Sequence, residues 1–293
     1  MKPWDPSMIN LVRSALEEDI GKGDVTSLAA LEPDVVKGVI VAKSEGVLSG
    51  MAPVILTFEM VDSANKLTAL KADGDSFKPG ETVVELEGLN QTLLTAERTA
   101  LNFLAHLSGV ATLTDRFVKA AGGTNCTILD TRKTTPGFRS LEKDAVKHGG
   151  GENHRRGLFD MVLIKDNHIA AAGSIEGAVM RVREWLDSTD YRLQFDVPAD
   201  KIEIEVEVSN LEELSEAINA GVHRLLLDNQ RPDSLKELVT TARRLNLEVK
   251  LEASGNVTLG NIGEVAASGV DYVSIGALTH SAPASDFSMK LFS

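Results

Sequence analysis

A closed or nearly closed parallel β/α barrel, preceded by a small half-buried sheet, is the fold this sequence predicts, and three observations predict it. From residue 127 onward, short β-branched runs alternate with amphipathic helical stretches: "TILD", "MVLIKD", "IEIEVEV", "RLLLD", "VKLEAS" and "YVSIG". The later runs recur at about the length of one βα unit. No G-x-G-x-x-G follows the first run, which favours a barrel over a dinucleotide-binding sheet and leaves an open doubly wound sheet as the alternative. Before residue 127 the pattern is different, with "VVKGVIVAKSEGVLSG" and "GDSFKPGETVVELEG" alternating apolar and polar residues between glycine turns.

The N-terminal elements follow from local chemistry. Asp5-Pro6 ahead of Ile9, Val12, Ala15 and Leu16 predicts a capped amphipathic helix that stops near Gly21. Residues 91–121 have helical periodicity, and Ser108-Gly109 suggests a break into two helices. The 293-residue chain, 43% apolar, is long enough to bury a large core, and no apolar run approaches the length of a bilayer crossing. The opening "MKPWDPSMIN" has neither a charged start nor an apolar h-region, and a single cysteine, Cys126, excludes a disulfide framework. These features point to a cytoplasmic protein.

Net charge narrows the function. At −13 the chain is a poor general partner for nucleic acid or anionic lipid. Between Arg132 and Lys165, however, eight Lys/Arg face only four acids. Lys143 and Lys147 read as solvated charges on a helix face. Arg132, Lys133, Arg155 and Lys165 instead lie at the ends of apolar segments, where a barrel gathers its chemistry on one rim. Arg132 and Arg155 suit a planar carboxylate, because guanidinium forks bind it in bidentate fashion; Lys133 and Lys165 suit phosphate. Glu207 and Asp228, ending two other strands, suit Mg²⁺ or ribose hydroxyls. Ser254-Gly255-Asn256 precedes a helix start, and Gly276 ends the last strand where backbone approaches a ligand. His148 and His154 lack the spacing of a metal motif, and His168 reads as a cap of the "KDNH" turn. Lys165 alone also suits a Schiff base, and Glu207 alone a barrel-core ion pair.

Taken together, "EEDIGKGDVTS", "ERTALNFLAHLSG", "TRKTTPGFRSLEKDAVKHGGGENHRRGL", "IKDNH", "EVEVSN", "LLLDN", "EASGN" and "GVDYVSIGALTHSAPASDFSMKL" resemble the quinolinate phosphoribosyltransferases over nearly the whole chain. Asp144, where an aromatic residue is expected, and the long acidic "DSTDYRLQFDVPADK" depart from the pattern. The resemblance implies an α/β fold made of an N-terminal α/β sandwich domain, residues 1–110, and an incomplete parallel barrel of about six strands, residues 111–277, with the 278–293 tail packed on the first. It implies transfer of a phosphoribosyl group from 5-phosphoribosyl-1-pyrophosphate (PRPP) to quinolinate, with loss of CO₂. Arg98, Thr131, Arg132, His154 and Arg155 would hold quinolinate, and Lys133, Lys165, Glu207, Asp228, Ser254, Gly255, Asn256, Gly276 and Ala277 would surround PRPP. Lys133, Lys165, Glu207 and Asp228 would carry catalysis, with Glu207 and Asp228 also at Mg²⁺. A homodimer with shared sites is implied, Arg98 coming from the neighbour. The alternatives are a related transferase for another heterocycle, a Lys165 Schiff-base lyase and a silent binder of phosphorylated ligands.

Overall fold

The computed structural model describes residues 4–292. Residues 1–3, which open the stretch read for a leader, lie outside it. The chain forms two compact units, one of Met1–Asp115, Lys133–Gly151 and Ala277–Ser293, the other of Arg116–Arg132 and Glu152–Gly276. In chain order the first elements are α1 (Pro6–Ile20), α2 (Val25–Ala30), β1 (Val35–Ala42), β2 (Gly46–Val47), α3 (Met51–Val61), β3 (Lys66–Ala69), β4 (Ser76–Phe77), β5 (Thr82–Leu89) and α4 (Asn90–Ala120). Then come β6 (Thr127–Leu129), α5 (Arg139–His148), β7 (Val162–Ile164), α6 (Asp166–Ala172), α7 (Ile175–Leu186), α8 (Thr189–Gln194), a 3₁₀ turn (Ala199–Lys201), β8 (Ile204–Val208) and α9 (Leu211–Asn219). The last are β9 (Arg224–Asp228), α10 (Pro232–Leu245), β10 (Lys250–Ser254), α11 (Ile262–Ala266), β11 (Tyr272–Ser274), α12 (Ala277–His280) and β12 (Phe287–Phe292).

In the first unit α1 begins as its sequence predicts. Pro6 needs no amide partner there, and the Asp5 carboxylate accepts the amide of Ser7 at 2.7 Å. Its apolar face, Met8, Val12 and Leu16, packs against Leu56 and Phe103. The antiparallel sheet has the order β12-β1-β5-β3, so the C-terminal strand returns to pair with β1 from Lys37 opposite Phe292 to Ala42 opposite Phe287. Ile40, Val84 and Leu86 of this sheet share a core with Phe58 and Leu93.

Two expectations are corrected here. α4 is one continuous helix of 31 residues with no break at Ser108-Gly109. These small residues are instead where other backbone comes close: Ser108 Oγ accepts the Ser49 amide at 3.0 Å and donates to the Ser49 carbonyl at 3.1 Å, and a Cβ on Gly109 would lie 2.2 Å from the Pro283 carbonyl oxygen. Lys143, expected in solvent, is completely buried, as is its neighbour Glu142, which lies 2.8 Å from His106 Nε2.

The second unit is built on a six-stranded parallel sheet in the order β6-β11-β10-β9-β8-β7. β6 also bridges Glu152, while no ladder joins β6 to β7, so the barrel is incomplete. The acidic 187–201 segment folds as α8 and the 3₁₀ turn. Tyr191 stacks on Phe195 with ring centres 5.2 Å apart and meets the Trp185 edge, while its hydroxyl donates to the Val197 carbonyl at 2.6 Å. At the amino end of β11, the Asp271 carboxylate receives Arg243 at 2.6 Å and the Leu251 amide at 2.8 Å. Burial raises its pKa, but these donors outweigh burial and hold it below the usual carboxylate range.

A carboxylate lowered in the fold contributes stability above its unfolded pKa and loses it as pH falls through the folded value. Asp271→Asn is expected to cost ~1.5–3 kcal/mol at pH 7. That cost should shrink as pH falls below about 4, where the unfolded chain takes up the proton, and be lost once pH passes the lower folded value. Urea unfolding of both chains at the two pH values checks this; equal curves at pH 7 would show that the pair contributes nothing.

Candidate active site

Parallel strands place all their carboxyl ends on one rim, and here the rim carries the residues singled out in the sequence. Arg132 follows β6, Lys165 follows β7, Glu207 lies near the end of β8, Asp228 and Ser254 end β9 and β10, and Gly276 follows β11. His154 and Arg155 follow Glu152 where it bridges β6. Lys133 and Ala277 are one step along the chain from Arg132 and Gly276 but belong to the first unit, as does Arg98, exposed on α4. Thr279 donates to the Lys133 carbonyl at 2.7 Å.

The acids are held ready. Lys165 Nζ lies 2.9 Å from Glu207 Oε2, with the lysine side chain 47% exposed. Its backbone amide donates to His168 Nδ1 at 3.0 Å, so His168 caps the turn as expected. Asp228 accepts Ser254 Oγ at 2.5 Å and Asn229 Nδ2 at 2.6 Å. The tips after β9 and β10 interlock: the Asn229 amide donates to the Ser254 carbonyl at 2.9 Å, and Asn256 Nδ2 reaches Asn229 Oδ1 at 3.2 Å. Asn229 and Asn256 both take the left-handed conformation, with φ of 53°, and Gly255 between the partners has φ of 87°.

The cationic side is organised around His154. Its amide donates to Asp130 Oδ1 at 2.9 Å, and its Nδ1 accepts the Arg155 amide at 2.7 Å. Nε2 faces two buried acids, Glu205 at 3.2 Å and Glu252 at 3.5 Å. Burial lowers the pKa of this ring, but the two carboxylates outweigh burial and push it up to about 9. Burial and Glu252 both raise the Glu205 carboxyl. Glu252 is itself raised by burial, yet His154, Ser274 and Arg224 bring it below its ordinary value. Arg155 Nη1 donates to the Met161 carbonyl at 3.1 Å. Its pKa is lowered by burial and by Arg132, two like charges facing one space. An anion relieves that repulsion.

Glu205, Glu252 and Asn229 were not singled out in the sequence. The signal for Glu252 was an acid flanked by Leu251 and Ala253 inside a strand; Glu205 was hidden among other acids of β8.

A half-open parallel barrel with basic side chains and acids at its strand ends defines the chain as an α/β-barrel protein. Within that class, the model of the quinolinate phosphoribosyl transferase C-terminal domain matches residues 110–290 and that of the N-terminal domain residues 24–108. The chain belongs to this family. It is 42% identical to a probable nicotinate-nucleotide pyrophosphorylase (carboxylating) of Bacillus subtilis over 94% of this chain and 90% of that one. It is 39% identical to the chloroplastic nicotinate-nucleotide pyrophosphorylase (carboxylating) of Arabidopsis thaliana, over 96% and 82%. The solved nicotinate-nucleotide pyrophosphorylase of Francisella tularensis superposes with a TM-score of 0.90 at 38% identity, covering 99% of this chain and 98% of that one.

The interlocked tips make a direct prediction. A Cβ on Gly255 would lie 2.1 Å from Asn229 Oδ1, at a φ that side chains rarely adopt. Gly255→Ala should therefore lower stability by ~1–3 kcal/mol. An unchanged melting temperature would mean that Asn229 is free to move aside.

Proposed function

We propose that this chain transfers the phosphoribosyl group of PRPP to quinolinate and releases CO₂, forming nicotinate mononucleotide and pyrophosphate for NAD synthesis. The observation that carries the reading is one strand-end rim that presents Arg132, Lys165, Glu207 and Asp228, with Arg155 near enough to Arg132 to feel its charge. Family membership supplies the substrates; the rim supplies the chemistry. Arg132 and Arg155 suit the two carboxylates of the pyridine, with Thr131 and His154 beside them and Arg98 arriving from a neighbouring copy. Lys133 and Lys165 suit the phosphates of PRPP, together with the Ser254-Gly255-Asn256 tip, Gly276 and Ala277. Lys165, paired with a carboxylate rather than desolvated, fits a phosphate ligand better than a Schiff base.

The proposed step is a displacement at the ribose. As pyrophosphate departs, positive charge grows on the sugar, and the Glu207 and Asp228 carboxylates stabilise it. These are hard oxygen donors with lone pairs left beyond their present partners, so they also fit Mg²⁺ held through water. Bound with PRPP, Mg²⁺ would offset the charge of the leaving group. The alkylated pyridinium then holds the electron pair left when the C–CO₂ bond breaks, a proton taken up from solvent replaces the carboxylate on that ring carbon, and the protein's share is orientation. No helix among the described residues is long and apolar enough to cross a membrane, and the free Cys126 fits a reducing compartment such as the cytoplasm.

Steady-state turnover of quinolinate with Mg²⁺-PRPP tests the reading, and nicotinate is the control. Lacking one carboxylate, nicotinate leaves a cation unpaired, and its kcat/KM should be lower by on the order of 10³ or more. Comparable use of nicotinate would overturn the assignment. In the same assay Arg155→Lys keeps charge but loses the fork, and should cost roughly 2–4 kcal/mol in transition-state binding.

Sharing of sites has its own test. Arg98→Ala and Lys165→Ala chains should each be inactive. Unfolded and refolded together in equal amounts, random pairing gives about half heterodimers with one intact site, hence roughly one-quarter of wild-type activity. A mixture as inactive as its parents, with heterodimers verified by mass, would place Arg98 in the site of its own chain.

A further inference from the structure

Below the rim lies a set of charges that no step of the proposed reaction uses. Side chains two apart on a strand share a face, so Glu205 sits one pleat below Glu207, and Glu252 one pleat below Ser254. Both carboxylates are completely buried. Glu252 Oε2 lies 3.2 Å from Arg224 Nη1, and Arg224 in turn reaches Glu203 at 3.0 Å and covers the Tyr272 ring at 4.3 Å. Neither oxygen of Glu205 makes a well-formed hydrogen bond, and its short polar contact is with His154. Carboxylates are costly in a barrel core, and aliphatic side chains of similar volume commonly serve stability as well or better. Stability alone therefore does not account for this pair.

What the two acids share is His154. They meet its Nε2 from β8 and β10, while its Nδ1 takes the Arg155 amide and its own amide is held by Asp130. The ring thus has a hydrogen bond at Nδ1 and two close carboxylates at Nε2. We propose that Glu205 and Glu252 are positioning residues for the anion clamp, holding the His154 ring so that it sets the backbone from which the Arg155 guanidinium projects. The inference rests on the reading of Arg155 as a carboxylate ligand. The same three side chains have the composition of a divalent-metal site. Charge count opposes that use. With Arg224 already 3.2 Å from Glu252, a divalent cation beside the two carboxylates would leave excess positive charge below Arg132 and Arg155.

Glu205→Gln and Glu252→Gln keep shape and remove charge. With the full chain and Mg²⁺-PRPP, either variant should raise the KM for quinolinate at least tenfold, leave the KM for PRPP within twofold, and keep the wild-type melting temperature or exceed it. Because the effect runs through Arg155, adding Glu252→Gln to Arg155→Lys should raise the quinolinate KM by less than threefold more. A quinolinate KM within twofold of wild type in both variants overturns the proposal, as does an equal rise in both KM values. So does a stoichiometric metal in the purified protein that disappears with Glu252→Gln. Should a variant fail to fold, Glu205→Asp and Glu252→Asp decide, since each keeps the charge but draws it back from His154; a quinolinate KM within twofold of wild type in both overturns the proposal. Wild-type chain that does not turn over quinolinate rejects the functional reading instead, independently of these outcomes.

Discussion

The parallel register of one sheet places the strand-end side chains of the second unit. Ser254 stands beside Asp228 because β10 and β9 run in register from Lys250 opposite Arg224 onward, and Glu207 stands beside Leu226 by the same rule on the other side. A slip of one residue would turn Glu205 and Glu207 outward together and bring Val206 to the interior. The alternation of β8 is therefore strict in consequence even though Ile204, Glu205 and Val206 are all buried. One contact reads the register out directly. The Ser254 hydroxyl reaches Asp228 at 2.5 Å only if both strands end at the same height.

Charge is arranged in depth along the same strands. Cations gather at the rim after β6 and beyond Glu152, and acids lie beneath them on β8 and β10. Burial and the charge of Arg132 both disfavour the Arg155 cation, and in the proposed clamp an anion would relieve that cost. The buried acids bear on this indirectly. Glu205 acts on Arg155 electrostatically in the favourable direction, opposing the effect of Arg132. A cationic clamp over an apolar core would lack that support.

The strand ends were legible in the sequence because each β-branched run stops at a polar or glycine residue, and runs of one βα unit can only be parallel. Arg132, Lys165, Glu207 and Asp228 emerged from that pattern without any knowledge of register. What stayed hidden depends on contacts distant in sequence. Ser108-Gly109 carries a helix-breaking signature, yet both residues are small because Ser49 and Pro283 approach them. Lys143 lies in a helix rich in charge, and its burial follows from tertiary packing that helical periodicity does not encode. Asn229 gives no local sign that its left-handed backbone and amide hold a neighbouring loop in place. The aromatic trio of Trp185, Tyr191 and Phe195 shows how an acidic insertion still finds a core of its own.

The resting partnership of Lys165 with Glu207 explains how one rim can serve two opposite charges in the proposed reaction. A half-exposed lysine and a less exposed carboxylate at 2.9 Å contribute little to stability, on the order of 1 kcal/mol or less. The pair is therefore easily exchanged. A phosphate carries more negative charge than Glu207 and would draw the flexible lysine away; the carboxylate left behind would then be free to face the sugar, where positive charge develops as pyrophosphate departs. Asp228, held by Ser254 and Asn229 rather than by a cation, would need no such exchange. In the proposed reaction one acid would thus be released by substrate binding while the other is held by the fold, and the two reach the same rim by different physical routes.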